Sequence, residues 1–485
     1  MRYTDVAIVG GGLAGSTAAA MLGRAGVPAL LIDPHPVYPP ELRCEKLGGE
    51  QLELLRKTGL ADATLRATTL DGEVWEARFG YVVCQKPSDQ HGVMYDTLVN
   101  TVRAQIPPGV ETICAKASAV TVSSERQRIV LSNGEEISAR LVVMANGLNV
   151  GLRYTLGIKR HVVSECHSIT LGFNVEPVGR AAFDFPALTY WPKWSSARMA
   201  YLSIFPINGA MRANLMVYRD MTDPWLSEFR QAPEETMLAM MPGLRGMMGE
   251  FRVSGPVKIR PADLYVTEGH LQPGIVLVGD AFSTSCPAAG TGTTKVFTDV
   301  ERLCNVYIPQ WLATDGMDAG KIAEFYSDPE KVECEARCLA KAYHLRSLST
   351  DNGLSWRAQR WARFIVRLSQ GTWRVIRGRP SIGSMPRRLS AKQPAHPGHG
   401  GLAQADQLIP ELLMPARLDE EAPGLIPEPG TSAEVWSGGR ESTPPRPVCG
   451  TIARPSSCTH EMKTSSQRGR TDGLPSAEID RSIRR

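Results

Sequence analysis

The stretch VAIVGGGLAGSTAAAMLGRAGVPALLID, residues 6–33, decides the fold of this 485-residue chain. Val6–Val9 and Ala29–Ile32 are short apolar runs typical of buried strands. Ser16–Arg24 lies between them and is rich in Ala, Leu and Met, which favours a helix. A strand, a helix and a second strand in close succession predict a right-handed crossover and a parallel strand pair.

The turn between the first strand and the helix has the glycine spacing of a dinucleotide-binding motif. Gly10 allows a tight turn, Gly12 leaves room for a pyrophosphate, and Gly15 lets the helix pack against the strand. Backbone N–H groups at the start of the helix, including those of Leu13 and Ala14, are predicted to bind the phosphates.

Asp33 ends the second strand, eighteen residues after Gly15. A carboxylate there can accept hydrogen bonds from both ribose hydroxyls of an adenosine and would repel a 2′-phosphate. The site therefore favours FAD or NAD over NADP.

A second motif, VLVGDAFSTSCPAAGTG at residues 276–292, follows an apolar strand and opens a helix. Asp280 places a carboxylate at the end of that strand. The bend that follows has a backbone that can approach a flat ring closely, and its candidate cofactor-binding residues are Pro287, Gly290, Thr291 and Gly292.

Together, the two motifs resemble those of the single-component flavoprotein monooxygenases, the aromatic hydroxylase group with a fold like that of p-hydroxybenzoate hydroxylase. The resemblance implies FAD as cofactor, with Asp280 on a ribityl hydroxyl and the N–H groups around Gly290–Gly292 facing the isoalloxazine ring. It also implies that Arg43, on the loop after the second strand, contacts FAD.

The activity implied by the resemblance is hydroxylation or epoxidation of an apolar or aromatic small molecule. Molecular oxygen would react through a flavin C4a-hydroperoxide, and NAD(P)H is the expected reductant. No catalytic side chain stands out in the sequence. His161 and His167 are interpreted as structural histidines, and Cys286 as a packing residue.

One family landmark differs in this chain. Where the family has a DG pair followed by Ser and Arg, residues 144–153 read MANGLNVGLR, with Asn146, Gly147, Val150 and Arg153 at the four places. Asn146 can form hydrogen bonds but supplies no charge. The electron donor therefore stays open between NADH, NADPH and a partner reductase.

The predicted fold class is α/β, a Rossmann-like FAD-binding domain of the glutathione-reductase type with an inserted β-rich substrate domain. We expect the first FAD-binding part at 1–160, the substrate domain at 161–270, and the second FAD-binding part with C-terminal helices at 271–378. The segment 379–485 is dense in Pro, Gly, Ser and Arg and is predicted to be a disordered tail. Candidate substrate-lining residues in the middle region are Phe173, Tyr190, Trp191, Trp194, Tyr201 and Phe205.

Two other functions fit the same flavin framework. One is an FAD-dependent reductase of isoprenoid-type double bonds, similar to geranylgeranyl reductases. The other is a non-catalytic flavin-binding redox or interaction module, which the altered DG pair would indicate. Flavin-dependent halogenases carry a Trp-x-Trp-x-Ile-Pro motif, which residues 190–194 do not match.

Composition excludes several classes of protein. A net charge of +4 is too small for a nucleic-acid-binding protein, and no uninterrupted apolar run is long enough for a membrane-spanning helix. Ten scattered cysteines indicate a reducing compartment, so we expect a cytoplasmic protein without a metal site.

The segment Trp356–Arg379 is basic and amphipathic and is interpreted either as a helix docked on its own domain or as a peripheral membrane contact. The oligomeric state is not predicted.

Overall fold

The structure, a computed structural model, describes residues 1–376. The predicted tail at 379–485 and the end of the segment Trp356–Arg379 lie outside this range. The strands are β1 (Arg2–Val9), β2 (Ala29–Ile32), β3 (Lys46–Leu47), β4 (Thr69–Arg78), β5 (Tyr81–Gly92), β6 (Glu111–Ile113), β7 (Ala117–Thr121), β8 (Gln127–Leu131), β9 (Glu136–Met144), β10 (Lys159–Pro177), β11 (Leu188–Trp191), β12 (Met199–Ile207), β13 (Ala210–Val217), β14 (Phe251–Glu268) and β15 (Ile275–Leu277). The helices are α1 (Leu13–Arg24), α2 (Glu50–Lys57), α3 (Ala61–Arg66), α4 (Tyr95–Arg103), α5 (Gly151–Thr155), α6 (Trp225–Gln231), α7 (Pro233–Met240), α8 (Leu244–Met248), α9 (Gly292–Arg302), α10 (Ile308–Leu312), α11 (Ala319–Tyr326), α12 (Pro329–Thr350) and α13 (Leu354–Ile376).

The first sheet contains the predicted parallel strands. β1 lies between β2 and β9 and runs parallel to both, with Val6 opposite Ala29 on one side and Leu141 on the other. β15 pairs with β9 and β6 with β2, also in parallel. The carboxyl ends of parallel strands meet at one edge of a sheet, so the segments after β1, β2, β9 and β15 lie close together.

Both faces of this sheet are covered, which explains why Val6–Val9, β2 and β15 are apolar without interruption. Val6 and Ile8 pack with α1 and the helices after β15 on one face. Ala7 and Val9 point to the other face, where they pack with residues of β7 and β8 such as Ile129.

The second sheet has the strand order β14-β10-β13-β12-β11-β4-β5-β3. Three of its strands come from residues 46–92, inside the range 1–160 that the sequence assigns to the FAD-binding part. β4 joins this sheet because it pairs in parallel with β11, with Trp75 opposite Leu188. The first part of the chain therefore contributes strands to both sheets.

The two faces of the second sheet differ in chemistry. On β10, Ile169, Leu171 and Phe173 point into an apolar core that is covered by α6, α7 and α8. Thr170 and Gly172 alternate with them and point to the opposite face. That face turns toward the segment after β15.

The helices after β15 complete the described chain. α9 and α12 pack together through a buried group of charged side chains, which includes Lys331 and Asp299. No helix within residues 1–376 combines the length and apolar character needed to cross a bilayer.

Candidate active site

A cavity of about 630 Å³ opens at the carboxyl edge of the first sheet. We call it the edge cavity. It brings together most of the predicted cofactor-binding residues from both motifs, namely Gly10, Gly12, Leu13, Ala14, Asp33, Arg43 and Asp280. Asp33 and Asp280 thus line one continuous space, although 247 positions separate them in the sequence.

Gly15 supports the edge cavity from behind. A Cβ atom at Gly15 would lie 1.8 Å from the carbonyl oxygen of Gly10 and 3.2 Å from the Ala145 side chain. Gly12 is different, because the nearest atom to a Cβ there is a ring carbon of Tyr38 at 3.8 Å. Gly15 is therefore required for packing, whereas Gly12 faces open space.

Asp33 is fixed by three donors. The Gly11 N–H donates to its Oδ2 at 2.6 Å, and the His35 N–H donates to its Oδ1 at 2.9 Å. Arg103, the last residue of α4, lies 3.1 Å from Oδ1 and also donates to the Gly11 carbonyl at 2.6 Å. No local pattern in the sequence indicates this role of Arg103, since only the folded chain brings α4 against the glycine turn.

Arg43 and Asp280 form an ion pair at the inner end of the edge cavity, with 2.6 Å between Nη1 and Oδ2. Arg43 also donates from Nε to Glu41 at 2.7 Å. Burial would lower the pKa of Arg43, but Asp280 and Glu41 raise it above its usual value. This cation is therefore permanently charged.

The family-variant segment lies on the wall of the same cavity. Asn146 donates from Nδ2 to the Asn149 carbonyl at 3.0 Å, and its Oδ1 is buried without a hydrogen-bond partner among the described residues. Arg153 is buried and donates to the carbonyls of Ala281 and Gly147, so it ties the end of β9 to the Gly279-Asp280 turn. Arg153 thus has a structural role in this chain.

A second cavity, of about 300 Å³, lies between the bend after Asp280 and the polar face of the second sheet. We call it the sheet cavity. It shares Leu13, Arg43 and Asp280 with the edge cavity, so the two spaces are contiguous. Pro287, Gly290 and Gly292 line it as well.

The bend itself supplies a flat approach for a ligand. Gly290 has a φ of +65° and ends the turn, and Thr291 is the buried N-cap residue of α9. A Cβ atom on Gly290 or Gly292 would meet no atom within 4 Å. The backbone at these glycines is therefore exposed toward free space.

Six aromatic residues were predicted to line the substrate site, and two of them do. Tyr201 and Phe205 line the sheet cavity. The predictions for Phe173 and Tyr190 are wrong, because strand alternation turns their side chains into the apolar core on the other face of the second sheet. Trp191 and Trp194 line separate pockets near α13.

Polar side chains accompany the aromatic ones on the sheet-cavity floor. Thr170, Ser203 and Asn214 lie on β10, β12 and β13, and Ser203 is directly opposite Asn214. The Asn214 Oδ1 is buried and has no hydrogen-bond partner among the described residues. A bound molecule with an O–H or N–H donor would satisfy it.

Charged residues of this cavity are mostly paired. Arg212 donates to both oxygens of Glu45 at 2.8 and 2.9 Å, and Lys46 lies 2.7 Å from Asp71. Arg160 has no carboxylate within ion-pair distance in the described part of the chain and donates to the Leu148 carbonyl.

The histidines and cysteines singled out in the sequence lie outside the two cavities. His161 is half-exposed beside Glu268, while burial and then Arg346 lower the pKa of His167 to about 4. Cys286 is buried under the bend, where desolvation raises the pKa of its thiol. His167 and Cys286 are thus packed inside the structure, whereas His161 lies at its surface.

The residues present fit FAD. The open faces of Gly12, Gly290 and Gly292 and the orphaned Asn146 Oδ1 all occur along one elongated pair of cavities. A glycine turn at a helix start suits a pyrophosphate, and the glycine bend suits a flat ring.

Comparison with known proteins agrees with this geometry. Residues 3–306 match the model of the family described as FAD binding domain. The chain is 26% identical over 331 residues to the 3-demethoxyubiquinol 3-hydroxylase of Escherichia coli (strain K12), covering 63% of this chain and 80% of that protein. It is 24% identical over 333 residues to the kynurenine 3-monooxygenase of Dictyostelium discoideum, covering 62% and 69%.

Among solved structures, the p-nitrophenol 4-monooxygenase PnpA from Pseudomonas putida DLL-E4 superposes with a TM-score of 0.62 at 16% identity. The match covers 78% of this chain and 98% of that one. At that identity the likeness concerns the fold. Because the family model spans more than half of the sequence, the chain belongs to the FAD-binding-domain family and is an FAD-dependent oxidoreductase of the aromatic-hydroxylase-like monooxygenase group.

Proposed function

We propose that this protein uses FAD and NAD(P)H to insert one atom of O2 into an aromatic or apolar small molecule held in the sheet cavity. In the hydroxylation, the substrate C–H, O2, NAD(P)H and a proton give C–OH, water and NAD(P)⁺. The observation that carries the proposal is the continuity of the two cavities at Arg43 and Asp280.

Each predicted cofactor residue then has a physical role. The glycine turn and the start of α1 hold the pyrophosphate, and Asp33 holds the adenosine ribose. Asp280 and Arg43 hold the middle of the molecule, while the N–H groups around Gly290–Gly292 face the ring. Bound there, FAD supplies electron transfer and oxygen activation, and the chain supplies position and shielding from water.

The floor of the sheet cavity would select the substrate. Tyr201, Phe205 and Met216 offer apolar contacts, and Asn214 offers a buried acceptor for a hydroxyl or amino group. Arg160 supplies a cation to oppose negative charge that develops during the reaction.

Replacing Arg43 with Met is expected to weaken FAD binding about tenfold or more, because charge-assisted contacts contribute about 1.5–3 kcal/mol each. The change also leaves Asp280 and Glu41 without the cation that lies between them. Titration of the apoprotein with FAD, followed by fluorescence, measures the effect. Arg56→Met, at an exposed position on α2, is the matched control and is expected to bind FAD like the wild type. Equal affinities for both variants would contradict the role of Arg43.

Rapid-mixing experiments test the reaction itself. The FAD-loaded protein is mixed anaerobically with NADH or NADPH, with and without a panel of phenols, and then with isotopically labelled O2. We expect a substrate that accelerates flavin reduction and a product that carries the label. A product in which a double bond has been reduced and which carries no label would instead indicate the reductase. A flavin that is reduced by neither NADH nor NADPH would indicate a separate electron donor.

A further inference from the structure

A pocket of about 380 Å³ lies between α13, the turn that joins β4 to β5, and the segment after β11. We call it the basic pocket. Its lining contains the cationic side chains Arg78, Lys193, Arg357 and Arg360 and the aromatic side chains Phe79, Trp194 and Trp361. No carboxylate lines it among the residues that the structure describes.

α13 packs against β5 of its own domain, as in the first of the two interpretations of the segment Trp356–Arg379. Arg363 and Arg367 line a small space that adjoins the basic pocket. Arg367 pairs with Glu76 at 2.8 Å, while the apolar Ile365 is 60% exposed. Arg363 and Arg367 thus face the body of the protein, whereas Arg357 is exposed.

The cations in the basic pocket are poorly neutralised. Arg78 donates to the Arg360 carbonyl at 3.4 Å, and its Nε is buried without a hydrogen-bond partner among the described residues. Burial lowers the pKa of Arg78, and the positive charges of Arg367 and Arg360 lower it further. Burial and then Arg357 also lower the pKa of Arg360, and Asp351 offsets this only in part. A bound anion would relieve this repulsion.

The donors and the aromatic walls define the chemistry of that anion. Guanidinium groups bind phosphate oxygens in a bidentate manner, and aromatic side chains offer faces on which a flat ring or a cation can stack. We propose that the basic pocket binds a phosphate ester at a site distinct from the FAD cavities. The phosphate can belong to a free nucleotide or to a lipid headgroup, which the experiment distinguishes.

Calorimetric titration of the FAD-saturated protein tests the proposal, because bound FAD blocks nucleotide binding at the edge cavity. The probes are ADP, inorganic pyrophosphate and adenosine, and a parallel sedimentation assay uses vesicles of phosphatidylglycerol or phosphatidylcholine. The test variant is Lys193→Gln/Arg357→Gln, since both side chains are exposed and the fold does not depend on them. The control Lys57→Gln/Arg66→Gln removes the same charge from exposed positions elsewhere.

We expect saturable binding of ADP or pyrophosphate that weakens about tenfold or more in the test variant and stays unchanged in the control. Binding confined to phosphatidylglycerol vesicles, with the same loss in the test variant, assigns the phosphate to a lipid. The proposal is overturned if neither probe nor vesicle binds the wild type, if adenosine binds as well as ADP, or if the test variant binds like the control. Equal thermal unfolding of the two variants verifies that the test variant is folded.

Discussion

A Gly15→Ala variant is expected to lose about 3 kcal/mol or more of the free energy of unfolding and, with it, the ability to retain FAD. The added methyl group would lie 1.8 Å from the Gly10 carbonyl oxygen, which is backbone and cannot rotate away. Gly10 is itself constrained, because its φ is +105° and a side chain there would meet Ala145 backbone at 2.5 Å. Relief at Gly15 therefore requires α1 to move off β1.

Denaturant unfolding and the flavin content of the purified protein measure this loss. Gly109→Ala serves as control, because Gly109 is exposed and a Cβ there would meet no atom within 4 Å. It should change the unfolding free energy by no more than about 0.5 kcal/mol. Gly12→Ala distinguishes an effect on FAD binding from an effect on the fold, since its methyl group would contact only the Tyr38 ring within 4 Å but would clash with a bound pyrophosphate. If Gly15→Ala were as stable as Gly109→Ala, the packing role of this glycine would be refuted.

The nucleotide-binding half of the fold was predictable because its signals are local. The glycine turn, Asp33 and the Gly279-Asp280 pair each sit at the end of an apolar strand, and the geometry of parallel strands brings such ends to one edge. The edge cavity confirms this convergence.

The second sheet was harder to predict because its order depends on distant pairings. β4 joins β11 across more than a hundred residues, and no local pattern in Thr69–Arg78 reports that contact. The alternation of side chains on β10 could be predicted from the sequence, but the face that borders the sheet cavity could not. Phe173 was therefore predicted on the wrong face. Arg103 could not be predicted for the same reason, since this arginine at the end of α4 binds Asp33 and the Gly11 carbonyl only when α4 lies beside the glycine turn.

The position of the Gly279-Asp280 turn depends on a buried group of charges that the sequence did not reveal. Asp299 on α9 accepts the Gly279 N–H at 2.8 Å and pairs with Lys331 on α12 at 2.7 Å. Lys331 also lies 3.3 Å from Glu335. The side chains of Asp299 and Lys331 are each 2% exposed. This network holds the end of β15 against the two helices.

Replacing Lys331 with Met is expected to cost about 3–5 kcal/mol, because it leaves a buried carboxylate without its cation. FAD affinity should fall as well, since Asp299 positions the residue before Asp280. The double variant Lys331→Met/Asp299→Asn should recover part of the stability, because Asn still accepts from Gly279 and carries no charge. Denaturant unfolding of the two single variants and the double variant, evaluated as a thermodynamic cycle, measures the coupling. Additive effects would show that the two side chains do not interact.

The pH dependence gives an independent test with a defined sign. Burial would raise the pKa of Glu335 from 4.5, but Lys295 and Lys331 lower it to about 2, so its stabilising contribution is present at neutral pH and is lost as pH falls toward 2. Removing Lys331 raises this pKa and favours protonation of both Glu335 and Asp299. Burial already raises the pKa of Asp299, and removal of Lys331 raises it further, so the stability difference between the wild type and Lys331→Met should be largest near neutral pH and should narrow as pH falls and these carboxylates become protonated. A difference that stayed constant with pH would mean that Lys331 acts through its contact with the Phe282 ring rather than through its ion pairs with the two carboxylates.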